Sequence, residues 1–282
     1  MAAGVGSAAM ADAVYIPLGD NRYMPTALAR GPWSPDHQHG GAPTGLLTRA
    51  VEQVPTGQPM RLTRITFDFL GALTLDEMTV RTEVVRPGKR VQWVSAVIES
   101  GGRDVLRAMA LFMRTEEATS PVVDLQPAPL PLPGDDLPSA VDELNAGEMF
   151  AGSAVDIRLA GQKDSWIAQG PGRAWFRLKV PLVQGETPTP QQRAVSAADF
   201  GNGISAALDW GEWLFVNSDL TVNLLRVPQG EWISLDSVMR IGGDGTALTE
   251  TRLADVEGGI GTAAQSLFVA PSPGASSFGK NA

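Results

Sequence analysis

A carboxylate and an amide in the second half of the chain, Asp199 and Gln265, are residue types that can activate water together. The carboxylate can accept a proton as a general base, and the neutral amide can orient the water without competing for that proton. Each also has a structural interpretation, because Ser196 and Asp199 fit a capping box at a helix start and a strand glutamine can simply face solvent. The pair forms a site only if the fold brings it together.

An internal repeat places both residues at corresponding points of a duplicated pattern. His39-Gly40-Gly41 precedes a short apolar helix, and Asp199-Phe200-Gly201 is predicted to open a similar one. In each half a Gly-Gly turn and a final apolar run follow. When those final runs are aligned, Met109 lies opposite Gln265 and His39 falls close to opposite Asp199. We therefore expect two copies of one scaffold that share a single asymmetric site.

The elements that must position these residues are one helix and a set of antiparallel strands in each half. Apolar residues recur at helical spacing from Ala42 to Val54, and runs rich in Val, Ile, Thr and Phe follow. A helix face at Phe200, Ile204 and Leu208 begins the second copy. This succession predicts the α+β class, with two halves that pair and so cover their sheet edges. The predicted strands are 61–71, 79–85, 91–99, 105–114, 174–183, 213–226, 232–240, 247–256 and 262–270.

The predicted domain boundaries follow the prolines. Six prolines fall between residues 116 and 138, which is typical of an extended linker, and the chain from 139 to 170 reads as a short helix with irregular structure. We predict an N-terminal domain at 15–115, a Pro-rich linker and connecting segment at 116–170, and a C-terminal domain at 171–271. The Ser/Gly/Pro-rich tail beyond is expected to be disordered.

The composition excludes several classes of function. The formal net charge of −9 over 282 residues argues against nucleic acid as a partner, since phosphate binding needs a basic surface. No cysteine is present, which excludes disulfides, thiolate metal sites and a cysteine nucleophile. The two histidines, His37 and His39, are too few for a multi-histidine zinc site. With no secretory signal and no apolar run of about 18 residues, we expect a cytoplasmic protein without a membrane span.

Five segments in a fixed order resemble the acyl-CoA thioesterase II (TesB-like) family. They are Gly31-Pro32-Trp33-Ser34-Pro35-Asp36, His39-Gly40-Gly41-Ala42-Pro43, Ala198-Asp199, Asn217-Ser218-Asp219-Leu220-Thr221 and Gln265. The resemblance implies a double hotdog fold, in which each of two repeats wraps a curved antiparallel sheet around a central helix. It also implies an acyl-CoA thioesterase that hydrolyses medium- or long-chain fatty acyl-CoA to the free acid and CoA.

The same resemblance implies a catalytic set. In the family an Asp, a Ser or Thr on the next strand, and a Gln on the last strand hold and activate the hydrolytic water. Asp199 and Gln265 match this pattern, whereas Asn217 occupies the Ser/Thr position. An asparagine can still position water through its amide, but it cannot act as a hydroxyl relay. We therefore expect Asp199 to be the general base, with Gln265 and Asn217 orienting the water.

Backbone N–H groups at the two helix starts are the expected oxyanion donors. Gly40 and Gly41 open the first helix and Gly201 the second, and a chain without side chains can approach a ligand closely there. His39 is a further candidate for the ligand pocket, with capping or packing as its structural alternative. Four tryptophans are interpreted as core or interface residues rather than a ligand cage: Trp33, Trp175, Trp210 and Trp213.

Two other functions remain open on the same fold. The Asn217 departure favours a catalytically weak module that binds acyl-CoA or lipid. A hotdog enoyl-CoA hydratase is disfavoured, because such enzymes pair a helix-borne Asp or Asn with a nearby histidine and the positions of His37 and His39 do not suit that role. No cofactor is expected, with CoA as part of the substrate, and the small-molecule partner is acyl-CoA. We expect a homo-oligomer, a dimer or larger.

Overall fold

Burial alternates along the strand Val91–Ser100 of the first half and marks its covered face. Every second residue from Gln92 to Ile98 is buried, while its neighbours are partly exposed. This period of two is typical of a sheet with one face on the core. Leu46 and Leu47 of the first helix are fully buried, and that helix packs against the covered face.

The computed structural model describes residues 12–116, 120–123, 131–133, 148–161 and 165–272. The elements of the first half are β1 (Tyr15–Gly19), β2 (Arg22–Pro25), α1 (Gly41–Glu52), β3 (Met60–Phe69), β4 (Met78–Arg86), β5 (Val91–Ser100) and β6 (Arg103–Arg114). Those of the second half are β7 (Val155–Ala160), β8 (Gly172–Leu178), α2 (Pro190–Ala198), α3 (Gly201–Ile204), β9 (Trp213–Asn217), β10 (Asp219–Leu224), β11 (Ile233–Ile241), β12 (Thr246–Asp255) and β13 (Gly258–Pro271).

The strand order shows the duplication directly. The first half runs β1-β2-β4-β5-β6-β3, and the second runs β10-β13-β12-β11-β8-β7, which is the same order read from the opposite end. The halves join where β3 pairs antiparallel with β10, with Thr66 opposite Thr221. One sheet of thirteen strands results, with a helix against each half. The predicted α+β double hotdog is confirmed in its repeat and its topology.

The second helix lies earlier in the chain than predicted. Helix α2 begins at Pro190, and Thr189 caps it by accepting a hydrogen bond from the N–H of Gln192 at 3.2 Å. A capping threonine followed by proline is a strong helix start, and it sets the position of the helix. Asp199 is the C-terminal cap of α2 rather than the first residue of a helix, and α3 after it is a single turn.

The two helices pack antiparallel and touch closely. A Cβ on Gly41 would lie 2.5 Å from the carbonyl oxygen of Ser196, so the start of α1 meets the end of α2. At the opposite end, Glu52 of α1 accepts hydrogen bonds from Thr189 and Gln192. The predicted correspondence of His39 with Asp199 is therefore wrong: one precedes a helix and the other follows one.

A strand predicted as continuous at 213–226 is broken at Ser218. β9 pairs with the end of β13 and β10 with its middle. At the break the carboxylate of Asp219 accepts the backbone N–H of Ser266 at 2.5 Å. Such interruptions bend a strand and re-aim its side chains. This one ends β9 at Asn217, beside the C-terminus of α2.

The connecting segment contains regular structure that was not expected. Strand β7 lies inside the predicted 116–170 segment and pairs with β8, at the edge of the sheet. The expectation of irregular chain there is wrong for residues 155–160. The prolines at 127, 129 and 138, and the tail from residue 273, lie outside the described residues.

Candidate active site

The carboxylate of Asp199 is the centre of a polar group drawn from both halves. Asp199 is 4% exposed. Its Oδ1 accepts a hydrogen bond from Nδ2 of Asn217 at 3.0 Å, and its Oδ2 lies 3.1 Å from Nδ1 of His39. Because a carboxylate only accepts, the amide of Asn217 must present its nitrogen here. The buried carboxylate is thus held by an amide of the second half and lies beside an imidazole of the first.

His39 is fixed by aromatic rings on two sides. Its ring centroid lies 4.2 Å from that of Phe200 and 5.3 Å from that of Phe150. Its Nδ1 accepts a hydrogen bond from the N–H of Gly41 at 3.0 Å. The contact with Asp199 overturns the expectation that no histidine lies beside a helix-borne aspartate. That expectation failed because the antiparallel helix pair brings the start of one helix to the end of the other.

Two adjacent glycines at the start of α1 have different surroundings. A Cβ on Gly40 would lie 2.8 Å from both carboxylate oxygens of Asp199, so this position admits no side chain without displacing that carboxylate. Gly40 lines the cavity described below, and its N–H has no hydrogen-bond partner within the described part of the chain. The N–H of Gly41 is engaged with His39. Of the two, Gly40 is the one whose N–H can meet a ligand.

Gln265 lies behind Asp199, with both ends of its amide occupied. Its Nε2 donates to the backbone carbonyl of Asp199 at 3.2 Å, and its Oε1 accepts the N–H of Asn202 at 3.1 Å. Gln265 is 1% exposed. Gly201 packs on the same cluster, since a Cβ there would lie 2.5 Å from Oγ1 of Thr251. These contacts favour a role for both residues in holding the turn between α2 and α3, rather than contact with water or substrate.

A cavity of about 550 Å³ opens in front of Asp199. Its wall combines residues of the first half, the connecting segment and the second half, including Asp199, His39, Gly40 and Asn217. The volume is within the usual range for small-molecule sites. Most of the remaining wall is apolar: Phe69, Leu70, Leu73, Trp166, Ile167 and Trp210. The halves therefore share one chemical site rather than carrying one each.

Aromatic residues of the cavity were missed by the sequence analysis. Trp33 of the first half stacks on Trp210 of the second, with ring centroids 5.1 Å apart, and both line the cavity. Trp166 lies against Gly203, where a Cβ would be 3.1 Å from its ring. The interpretation of Trp33 and Trp210 as core or interface residues is incomplete, because they form cavity wall as well. Phe200 directly follows Asp199 in the sequence, and this adjacency was the one signal that could have indicated an aromatic ring beside His39.

The described residues contain no group of three or more His, Asp or Glu side chains placed to hold a metal ion. Among the helices of the described ranges, none has both the length and the apolar content needed to cross a bilayer. The polar groups that line the cavity are carboxylate, imidazole, amide and backbone groups together with the hydroxyl of Ser218.

Comparison with known proteins places the chain in a family. Residues 29–113 match the sequence model of the acyl-CoA thioesterase N-terminal domain, and residues 124–269 match that of the acyl-CoA thioesterase C-terminal domain. No curated protein matches the chain. The second match alone spans just over half of the 282 residues.

Solved structures show the same fold at low sequence identity. A proposed thioesterase II from Thermobifida fusca YX has a TM-score of 0.70 and 16% identity, covering 92% of this chain and 96% of its own. A hot dog fold protein of unknown function from Alicyclobacillus acidocaldarius has a TM-score of 0.68 and 14% identity, covering 93% and 97%. The acyl-CoA thioesterase II TesB2 from Mycobacterium marinum has a TM-score of 0.62 and 19% identity, covering 92% and 97%. The chain therefore belongs to the acyl-CoA thioesterase family and is a thioester hydrolase with a double hotdog fold.

Proposed function

We propose that this protein hydrolyses medium- or long-chain fatty acyl-CoA to the free acid and CoA, with Asp199 as the general base. The observation that carries the proposal is the position of Asp199, a buried carboxylate in the wall of an apolar cavity between the halves. A carboxylate in such a place can take the proton of a water molecule that attacks the thioester carbonyl. The family supports the reaction, and the cavity supports the substrate.

The chemistry needs a held carboxylate and a donor for the oxyanion. Asn217 holds Oδ1 of Asp199 by its hydrogen bond, so it orients the base and leaves the remaining lone pairs for water. The N–H of Gly40 at the start of α1 is the proposed oxyanion donor, since it lines the cavity beside the carboxylate. Fixed backbone donors of this kind commonly contribute about 100- to 1000-fold to acyl-transfer rates.

The apolar part of the cavity is the proposed site of the acyl chain. Leu73 and Trp166 are buried inside it, whereas Leu70 is 49% and Ile167 57% exposed at its rim. An apolar wall that continues from a buried interior to an exposed rim suits a flexible hydrocarbon chain. The CoA arm then remains at the surface, no other cofactor takes part, and the protein acts in the cytoplasm as a homo-oligomer.

Release of free CoA from a series of saturated acyl-CoA thioesters, from butanoyl to palmitoyl, tests the proposal. We expect turnover that rises towards the medium or long chains, and Asp199→Asn should reduce kcat by about 100-fold or more. Asp209→Asn is the matched control, because Asp209 is exposed and lies outside the cavity. A variant at Asp199 that keeps wild-type turnover contradicts the mechanism, and a silent series contradicts the substrate class.

A second candidate function is favoured by the contact between His39 and Asp199. A histidine and a carboxylate side by side can also add water across an enoyl-CoA double bond, one as base and the other as acid. Loss of enoyl-CoA absorbance without release of CoA would select it. The absence of a hydroxyl at Asn217 favours the weaker alternative of an acyl-CoA-binding module, which acyl-CoA would stabilise against heat without being consumed.

A further inference from the structure

Nδ1 of His39 has two neighbours but can form only one hydrogen bond in the plane of its ring. The N–H of Gly41 donates to it at 3.0 Å, and Oδ2 of Asp199 lies 3.1 Å away. While the Gly41 N–H is bonded, Nδ1 carries a lone pair, so the proton of the neutral ring resides on Nε2. Two acceptor atoms, Nδ1 and Oδ2, then lie within hydrogen-bond distance of each other with no proton between them.

Such a pair is a shared proton acceptor. A proton that reaches either atom can bridge both once it displaces the Gly41 N–H from the single lone pair of Nδ1, and it converts a contact between two lone pairs into a charge-assisted hydrogen bond. In the described part of the chain, the side chain of His39 contacts Asp199, Gly41 and the rings of Phe150 and Phe200. Asp199 is the titratable group among them. The rings cover two sides of the imidazole, and its lower exposure to water strengthens its interaction with the carboxylate.

We propose that His39 and Asp199 act as one acid–base dyad, in which Asp199 takes the proton of the attacking water and Nδ1 of His39 shares it. This inference rests on the proposed thioester hydrolysis. Water oxygen bonds to the thioester carbon as its proton passes to Oδ2 and onward to Nδ1. The tetrahedral intermediate then breaks its C–S bond, and the CoA thiolate leaves with the proton that the dyad held.

The dyad supplies a proton-transfer group beside Asp199, where Asn217 offers none. Asn217 holds Asp199 but has no hydroxyl, so it can neither accept nor pass on a proton. The imidazole on the opposite oxygen can do both. The first half of the chain thus supplies a catalytic residue, His39, beside the Asp199 carboxylate of the second half. Asn217 holds Oδ1 of Asp199, and His39 shares the proton at Oδ2.

Two substitutions at His39 separate proton transfer from positioning. In His39→Asn the side-chain amide can hold the Asp199 carboxylate by donating to it from near the position of Nδ1, but it cannot take up a proton. We expect kcat to fall by about 100-fold or more, with KM within about threefold of wild type. His39→Ala should lose as much, and added imidazole should restore part of its kcat, because the space between the two rings can admit that ring. Asp199→Asn measured alongside is expected to be equally impaired.

The outcomes distinguish this inference from the proposed function. If Asp199→Asn is inactive while His39→Asn keeps a kcat near that of wild type, His39 only orients the carboxylate and the dyad is refuted, although hydrolysis stands. If wild type releases no CoA from any thioester, both proposals fail.

An independent reading comes from the nitrogen resonances of isotope-labelled histidine. The chain contains two histidines, so His37→Gln assigns the signals. The dyad predicts that the neutral ring of His39 carries its proton on Nε2, and a neutral ring protonated on Nδ1 would overturn it.

Discussion

Gly40 lies directly over the carboxylate of Asp199. The absent Cβ would stand 2.8 Å from each of its oxygens, well inside van der Waals contact. The glycine at the start of α1 in the first half thereby leaves room for the Asp199 carboxylate of the second half. The requirement at this position is space, since Gly40 has an ordinary right-handed backbone conformation with φ of −57°.

Substitution of Gly40 by alanine should disable the site without unfolding the protein. The methyl group must displace the Asp199 carboxylate from His39 and Asn217, so we expect kcat to fall by about 100-fold or more. Gly57→Ala is the matched control, because no atom lies within 4 Å of the methyl group it would add. Steady-state kinetics together with thermal melting of both variants measure the effect. Wild-type turnover in Gly40→Ala would show that the carboxylate need not stay where it lies.

A second carboxylate in place of the Asn217 amide should repel the first. Asn217→Asp keeps the size of the side chain but replaces the donor to Oδ1 of Asp199 with an acceptor. Like charges at this distance resist joint ionisation, and we expect a loss of kcat of about 100-fold at neutral pH. The control is Asn223→Asp on β10, where the residue is exposed.

Asn217→Ser tests whether the hydrogen bond to Asp199 or the missing hydroxyl matters more at this position. Serine can donate to Asp199 and also offers a hydroxyl, so substantial activity should remain. If serine is as damaging as aspartate, the hydrogen bond to Asp199 depends on the length of the asparagine side chain.

Gln265 should matter for stability as well as for turnover. Gln265→Leu leaves the carbonyl of Asp199 and the N–H of Asn202 without their partner in a buried place. Each orphaned backbone group costs about 1–3 kcal/mol, so the free energy of unfolding should fall by that order. Asp199→Asn should lower kcat while leaving the melting temperature close to wild type. Denaturant unfolding of the two variants side by side measures this contrast. An unchanged stability in Gln265→Leu would instead favour the role expected from the sequence, in which Gln265 orients the water.

The stability of the fold should depend on pH through Glu52, at the end of the α1–α2 pair far from the active site. Burial raises the pKa of Glu52, although hydrogen bonds from Gln192 and Thr189 oppose the shift. The folded state therefore holds the proton of Glu52 more tightly than the unfolded state does, and it loses stability as pH rises through and above the ordinary glutamate range. Glu52→Gln removes this loss. Its melting temperature should exceed that of wild type at neutral pH, and the gap should close below about pH 4.

Glu212→Gln is the control for that experiment, because Glu212 is exposed. A Glu52→Gln variant whose advantage is the same at all pH values would show that the gain comes from packing rather than from the buried charge.

The strand pattern and the repeat predicted the α+β class with two paired halves, and the family resemblance supplied the double hotdog and the choice of Asn217 and Gln265 beside Asp199. The apolar run at 91–99 was predicted to be a strand and forms β5, and the repeat predicted two equivalent halves. Both residues selected by the resemblance lie beside Asp199: Asn217 donates to its carboxylate and Gln265 to its backbone carbonyl, and their roles towards water stay a prediction. Local sequence carried this information because each residue sits at a fixed point of a regular element.

Contacts between the two halves could not be predicted from local sequence patterns. The approach of His39 to Asp199 depends on the antiparallel packing of α1 and α2, which no local pattern encodes. The start of α2 was available in the sequence, since Thr189-Pro190 is a typical helix start, but the apolar residues after Asp199 suggested a later helix. Trp33 shows a further limit: an aromatic ring packs equally well in a core or in a cavity wall, and composition does not separate the two.

The break at Ser218 gives the second half a feature that its partner half lacks. The corresponding strand β3 is one element from Met60 to Phe69, whereas the equivalent stretch of the second half is divided into β9 and β10. Duplication supplied two copies of one strand, and both still pair with each other through β3 and β10 where the halves join. The interruption leaves that pairing intact and places Asn217, at the end of β9, against the carboxylate of Asp199. A local change in one copy of a strand thus contributes to the single shared site without disturbing the sheet that joins the two halves.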